Sequence, residues 1–316
     1  MKRFYTINEN NQEEFDTDWF QEARENNKLI TVNSLSGGKT SAYIAANYPA
    51  DYNVFALVRT NDKNCIFPDE KVRQMVSDRI GTEFIGTLEE DAIIYTMLDL
   101  EQFIGQKIDW VTGETFDEVI IRSEKNRIEN TRYLPNVTQR FCTTDMKLKP
   151  LFNWWLNNIN EPVEMRIGFR ANEMSRAKTM IEKKNKHGLL EFKHIVGKHK
   201  NGNNKWKKTG WQNPVFPLIE NGIFKDTIEQ YWKDKPVRFA YMNNCVGCFH
   251  RSPVLLKHMS ERHPNKFDWF INAENLGDGK RTFKNGITYD KIKNSFKQTQ
   301  LFDDDFNECD SGYCGL

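Results

Sequence analysis

Nowhere in this 316-residue sequence is there an apolar run approaching the ~18 residues that suggest a membrane-spanning helix. An excess of either charge is missing too: 45 Lys+Arg stand against 44 Asp+Glu, a formal net charge of +1. That balance removes bulk electrostatics as an argument for nucleic-acid binding, so any basic patch must be local. There is no internal repeat or low-complexity tract. Residues 1–9 soon turn polar and acidic, where a signal peptide would carry an apolar stretch. The expectation is a soluble, cytoplasmic protein with no membrane partner. Cysteines are few, at positions 65, 142, 245, 248, 309 and 314. In a reducing compartment, paired cysteines point to metal or redox chemistry before disulfides. What is present suits a folded chain with a sizeable core: 38% hydrophobic residues, 13% aromatic with 22 Phe, and interspersed charges.

Residues 1–27 are polar and acidic and read as an N-terminal helical extension. Residues 29–35 form a short apolar segment ended by glycines, which predicts a buried strand. A helix is expected over 39–47, a second strand over 53–59, and a helix from Pro68 to about residue 80, opened by proline in its first turn. Residues 83–85 and 163–168 supply third and fourth strands. A helix over 145–158 has Trp154 and Trp155 on its buried side. Strands alternating with helices predict an α/β domain over 28–215, with a mostly parallel sheet flanked by helices. Within it, 183–208 holds nine lysines, three histidines and a single acid, Glu191. This insert reads as an exposed loop, or as a basic arm that meets nucleic-acid phosphates with Trp206 and Trp211 as stacking surfaces. Residues 216–316 read as a helical, cysteine-rich C-terminal region.

The loop Ser36-Gly37-Gly38-Lys39-Thr40-Ser41 lies between a predicted strand and a predicted helix. Glycines let backbone approach a phosphate, helix N–H groups point at it, and Lys39 adds charge. A Walker A loop would need glycine at position 33, which is Asn33. The segment instead resembles the PP-loop of the adenine-nucleotide α-hydrolase superfamily. Three further segments are similar to one branch, the phosphoadenosine phosphosulfate (PAPS) reductase family: Phe67-Pro68-Asp69-Glu70; Arg140-Phe141-Cys142-Thr143 with Lys147-Leu148-Lys149-Pro150; and Gly168-Phe169-Arg170-Ala171-Asn172-Glu173 with Arg176. Asn172 stands where an aspartate is usual. The resemblance covers residues 29 to about 250. It implies an adenine-nucleotide α-hydrolase fold and a nucleotide site formed by Ser36, Gly37, Gly38, Lys39, Thr40, Ser41, Arg170 and Arg176. It implies ATP with Mg²⁺, cleaved between the α- and β-phosphates, with Lys39 catalytic.

Cys245 and Cys248 are two residues apart in between, Cys309 and Cys314 four. Two such pairs fit zinc or an iron–sulfur cluster, and spacing alone does not choose. The resemblance implies Cys142, Cys245 and Cys248 as cluster ligands with Cys309 or Cys314 completing the set, so a [4Fe–4S] cluster is expected and zinc is the alternative. The terminal Cys314-Gly315-Leu316 is also similar to the end of PAPS reductases, where a cysteine is the nucleophile. Cys65 is expected to have no chemical role. The reading is an ATP-cleaving enzyme that supports sulfur transfer to an acceptor, nucleic acid being one candidate, helped by a sulfur or electron donor protein. A thiol-dependent reductase of PAPS or adenylyl sulfate using Cys314 is the first alternative. A non-catalytic nucleotide-binding subunit of a nucleic-acid-modification or defence complex is the second.

Overall fold

The computed structural model describes residues 29–122, 134–276 and 281–295, together with strands β1 (Tyr5–Ile7) and β2 (Glu13–Phe15). These two strands pair antiparallel where an N-terminal helix was expected; the other residues of 1–28 lie outside the described residues.

The first strand of the main sheet, β3 (Ile30–Leu35), follows the predicted apolar segment. The amide nitrogen of its buried Asn33 donates to Asn53 Oδ1 at 2.9 Å and to the Tyr48 carbonyl at 3.1 Å. Helix α1 (Lys39–Asn47) and strand β4 (Tyr52–Leu57) come next. Asp69 caps α2 (Glu70–Ile80) by accepting from Val72 N–H, so Pro68 precedes the cap and lies outside the first turn. Gly81, in the left-handed conformation, ends that helix.

Residues 83–85 are not a strand. Gly86 makes only isolated bridges to Thr60 and Ile66. The sheet edge beside β4 is taken by β5 (Ile108–Thr112), which follows α3 (Ala92–Ile104). Helix α4 (Phe116–Arg122) closes this half. A short turn, Phe141–Thr143, and a π-helical turn, Thr144–Leu148, lead into α5 (Lys149–Asn158). Trp155 is buried there as expected, and Trp154 is half-buried.

Strand β6 (Val163–Arg166) is followed by α6 (Met174–Ile181). The lysine-rich stretch then forms a β-hairpin, β7 (Leu190–Lys198) with β8 (Asn204–Val215), where a loop was expected. Helices α7 (Lys225–Trp232), α8 (Pro253–Arg262), α9 (Pro264–Asn275) and α10 (Tyr289–Lys293) complete the described chain.

The sheet runs in the order β5-β4-β3-β6-β8-β7, parallel throughout except for β7. It is an α/β fold. Side-chain alternation splits the core between the two faces of the sheet. Leu35, Phe55 and Leu57 join Ile44, Met97 and Trp232 on one side. Val32, Val54 and Met165 join Phe152, Trp155 and Trp211 on the other. A third core gathers α4, α8 and α9 around Phe116, Phe267 and Phe270. No described helix is long and apolar enough to cross a membrane.

Candidate functional site

Strand order fixes where a ligand can enter. The chain winds outward from β3 through β4 to β5, then crosses back to β6 on the other side of β3. The crevice beyond the carboxyl ends of β3 and β6 is therefore the topological switch point, the usual binding place of open α/β sheets. The loop 36–38 leaves β3 there, and Gly168 follows β6. A cavity at this point is lined by Ser34, Ser36, Ser41, Thr143, Lys147 and Gly168, among others.

The loop is held tightly. Gly37 has φ +82°, and a Cβ on it would stand 2.4 Å from Ile93 Cγ2. Gly38 caps α1 with extended backbone and no side-chain hydrogen bond. Ser41 Oγ accepts from Ser36 N–H at 3.1 Å, lies 3.0 Å from Ser36 Oγ and donates to the Gly38 carbonyl. Gly168 packs against Thr40 and Ser41, where an added Cβ would meet Thr40 Cγ2 at 3.3 Å. The first turn of α1 thus presents backbone N–H groups and hydroxyls toward the crevice, a suitable environment for an anion.

The expected cations are arranged differently from the sequence reading. Lys39 turns to α7, where it pairs with Glu229 and lies over the Phe239 ring; it is not among the residues that line the cavity. Lys149 pairs with Glu114 at 3.5 Å. Arg170 and Arg176 both bind Glu173, and Arg176 stacks on Phe169 with its guanidinium carbon 4.4 Å from the ring centroid. Neither arginine lines the glycine-loop cavity. The cation that does is Lys147.

Lys147 also lines a second, adjoining cavity with Thr143, Cys142, Cys245 and Cys248. Burial disfavours its charge, but Glu89 at 2.9 Å and the neighbouring Cys245 and Cys248 raise its pKa overall. Glu89 is 1% exposed. Its carbonyl accepts from Lys266 at 2.6 Å. Apolar walls come from Met146, Phe116, Phe270 and Phe283.

The turn Cys245-Val246-Gly247-Cys248 is clamped from three sides. Val246 N–H donates to the Leu88 carbonyl, Tyr289 Oη donates to the Gly247 carbonyl, and Gly247 packs on the Phe270 ring. Arg251 Nη2 donates to the carbonyls of Asn243, Asn244 and Cys245. Burial, with Cys248 nearby, pushes the Cys142 thiol up to about 12. Burial, with Glu89 nearby, pushes Cys245 well above its ordinary value.

Three of the expected thiols therefore meet, while Cys309 and Cys314 lie outside the described residues. Among the described residues, no group of three or more His, Cys, Asp and Glu side chains is arranged to hold a single metal ion. The chemistry of the cavity nevertheless suits an anionic thiolate-bound group. Besides the thiols it has Lys147, and Arg251, which lies behind the turn and outside the cavity lining, acts electrostatically on Cys245 and Cys248. Burial and the cations Arg140, Lys284 and Arg176 pull His250, beside this turn, down to about 4. The motif arginines at 140 and 176 thus both lie near enough to His250, which lines the thiol cavity, to act on its charge.

No protein-family model and no curated protein matches this chain. Sequence reasoning missed the roles of Glu89, Lys147 and Arg251. Lys147 was visible inside a motif, but nothing local marked Glu89 as its partner 58 positions earlier. Cys65 is buried, and burial with Asp62 nearby pushes its thiol up to about 12.

Proposed function

We propose that this chain has an adenine-nucleotide α-hydrolase fold, binds ATP at the switch-point cavity, cleaves it between the α- and β-phosphates, and supports sulfur transfer to an acceptor as a PAPS reductase-family enzyme. One observation carries the reading: the glycine-loop cavity and the thiol cavity adjoin, and both are lined by Thr143 and Lys147. A nucleotide phosphate and a sulfur centre would face each other across one lysine.

The residues divide the work. Gly37 and Gly38 allow close backbone approach, and the N–H groups at the start of α1 with the Ser36 and Ser41 hydroxyls orient phosphate oxygens. An acceptor oxygen attacks the α-phosphorus. The bond to the bridging oxygen breaks, and pyrophosphate leaves with the electron pair; Mg²⁺ accompanying ATP would offset part of its charge. Lys147 supplies the fixed positive charge expected of Lys39, held in place by Glu89. A sulfide-level donor then displaces AMP from the acceptor. Cys142, Cys245 and Cys248, with Cys309 or Cys314, would hold a [4Fe–4S] cluster, or zinc in its place. When bound, such a cluster supplies sulfur or electrons beside the nucleotide.

The test is protein purified without oxygen, assayed for iron, acid-labile sulfide, and pyrophosphate released from Mg²⁺-ATP. About four iron and four sulfide per chain, with pyrophosphate release lost in Gly37→Ala, is the expected result. About one zinc without sulfide would make the thiols a structural staple. No pyrophosphate with any nucleic-acid or small-molecule acceptor would overturn the enzymatic reading.

A further inference from the structure

A groove of about 420 Å³ lies between the β7–β8 hairpin and α6. Lys183, Lys193 and Lys208 stand on its walls, and Glu191 is the one acid there. At its inner end are Thr144 and Leu148, from the π-helical turn. Leu148 lines the glycine-loop cavity as well, so the groove leads to the crevice at the switch point.

The hairpin has two unlike faces. Cross-strand partners share a face: Phe192 pairs with Thr209 and His194 with Lys207, and both rings pack on Phe152. The other face carries the pairs Lys193–Lys208 and Ile195–Trp206. Past His194 and Thr209 the hairpin leaves the core, and Ile195, Val196 and Trp206 are 49%, 45% and 51% exposed. Lys193 Nζ lies 5.1 Å from the Trp206 ring centroid. The indole is left about half exposed there, with ring surface free for a further contact. A cationic track with an exposed aromatic platform is the combination that single-stranded nucleic acid uses, phosphates meeting lysines and a base face meeting the ring. A duplex keeps its base faces stacked and cannot use the indole in this way.

We propose that the groove binds a single strand of nucleic acid, with Trp206 stacking a base at the outer end and Lys193, Lys208 and Lys183 holding phosphates toward Leu148. From Trp206 to Gln212 the strand spans roughly 20 Å, the length of about six stacked nucleotides at ~3.4 Å each. Identifying this strand as the sulfur acceptor rests on the proposed function; the binding itself does not.

The test is fluorescence anisotropy of the full chain with a labelled oligothymidylate and an oligouridylate of about 12 nucleotides, each titrated at several salt concentrations. Trp206→Ala should weaken binding about tenfold. Lys193→Ala and Lys208→Ala should each lower the slope of log K against log salt by about 0.7. Thermal melting of each variant checks that the fold persists. No binding by the wild type at low salt, tighter binding to the matching duplex, or variants that fold and bind as the wild type does would each overturn the proposal. ATP binding by the wild type is measured alongside. Oligonucleotide binding without ATP binding supports the groove and removes the nucleotide site; ATP binding without oligonucleotide binding does the reverse.

Discussion

The glycine-loop cavity and the thiol cavity share a wall, but they are built in opposite ways. The first is framed by one local turn, residues 34–41 with Gly168 laid against them, and closed by Ala56, Thr143, Lys147, Leu148 and Leu151. The second is assembled from Val58, Glu89, Cys142, Cys245 and Phe283, side chains far apart in the sequence. Backbone geometry makes one, and charge balance in a buried space makes the other. A site of the first kind loses less from a side-chain change than from a change at its glycines. A site of the second kind depends on each charge keeping its partner.

The largest expected effect breaks that dependence. Lys147→Met leaves Glu89 charged and buried, which costs about 3–5 kcal/mol in urea unfolding. Adding Glu89→Gln should recover much of it; an equally unstable double variant would show that the pair is not coupled. Next comes Gly247→Ala, whose new Cβ would sit 2.5 Å from Phe270 Cγ. Overpacking of this kind costs about 1–3 kcal/mol, and iron content should fall because Cys245 and Cys248 flank the displaced residue. Normal iron with normal stability would contradict this account of the turn.

Ser41→Ala removes the hydroxyl that ties the loop to Ser36, at about 1 kcal/mol per lost hydrogen bond. ATP affinity, read by calorimetry, should drop severalfold with metal content unchanged. The smallest effect belongs to Lys39→Ala. Its ion pair with Glu229 is part-exposed and contributes at most about 1 kcal/mol, so pyrophosphate release should change only severalfold. Abolished turnover in Lys39→Ala would return the catalytic charge to Lys39 and weaken the case for Lys147.

Much of the fold was legible because apolar segments ended by glycine or proline are local signals. The strands at 30–35, 52–57 and 163–166 and the helices around them follow from such patterns. Strand β5 was missed because Asp109 interrupts a short apolar run. Residues 83–85 were misread because edge position, not propensity, decides which segment pairs with β4. The lysine-rich hairpin hid behind its composition: its register is anchored at the base by buried Leu190 and Trp211, while its outer half is exposed and reads as loop. In the site, the glycines and three thiols were legible from motifs. The direction of Lys39 and the partnership of Lys147 with Glu89 were not, since the first depends on the packing of α7 and the second on a loop 58 positions away.

Hydrogen exchange of the full chain with and without Mg²⁺-ATP tests the central claim most directly, because it reports where the nucleotide sits. Slowed exchange confined to amides of residues 36–42, 143–148 and 168–170 is the predicted result. Protection elsewhere, or none at saturating ATP, would contradict the assignment of the nucleotide to the crevice shared with the thiol cavity.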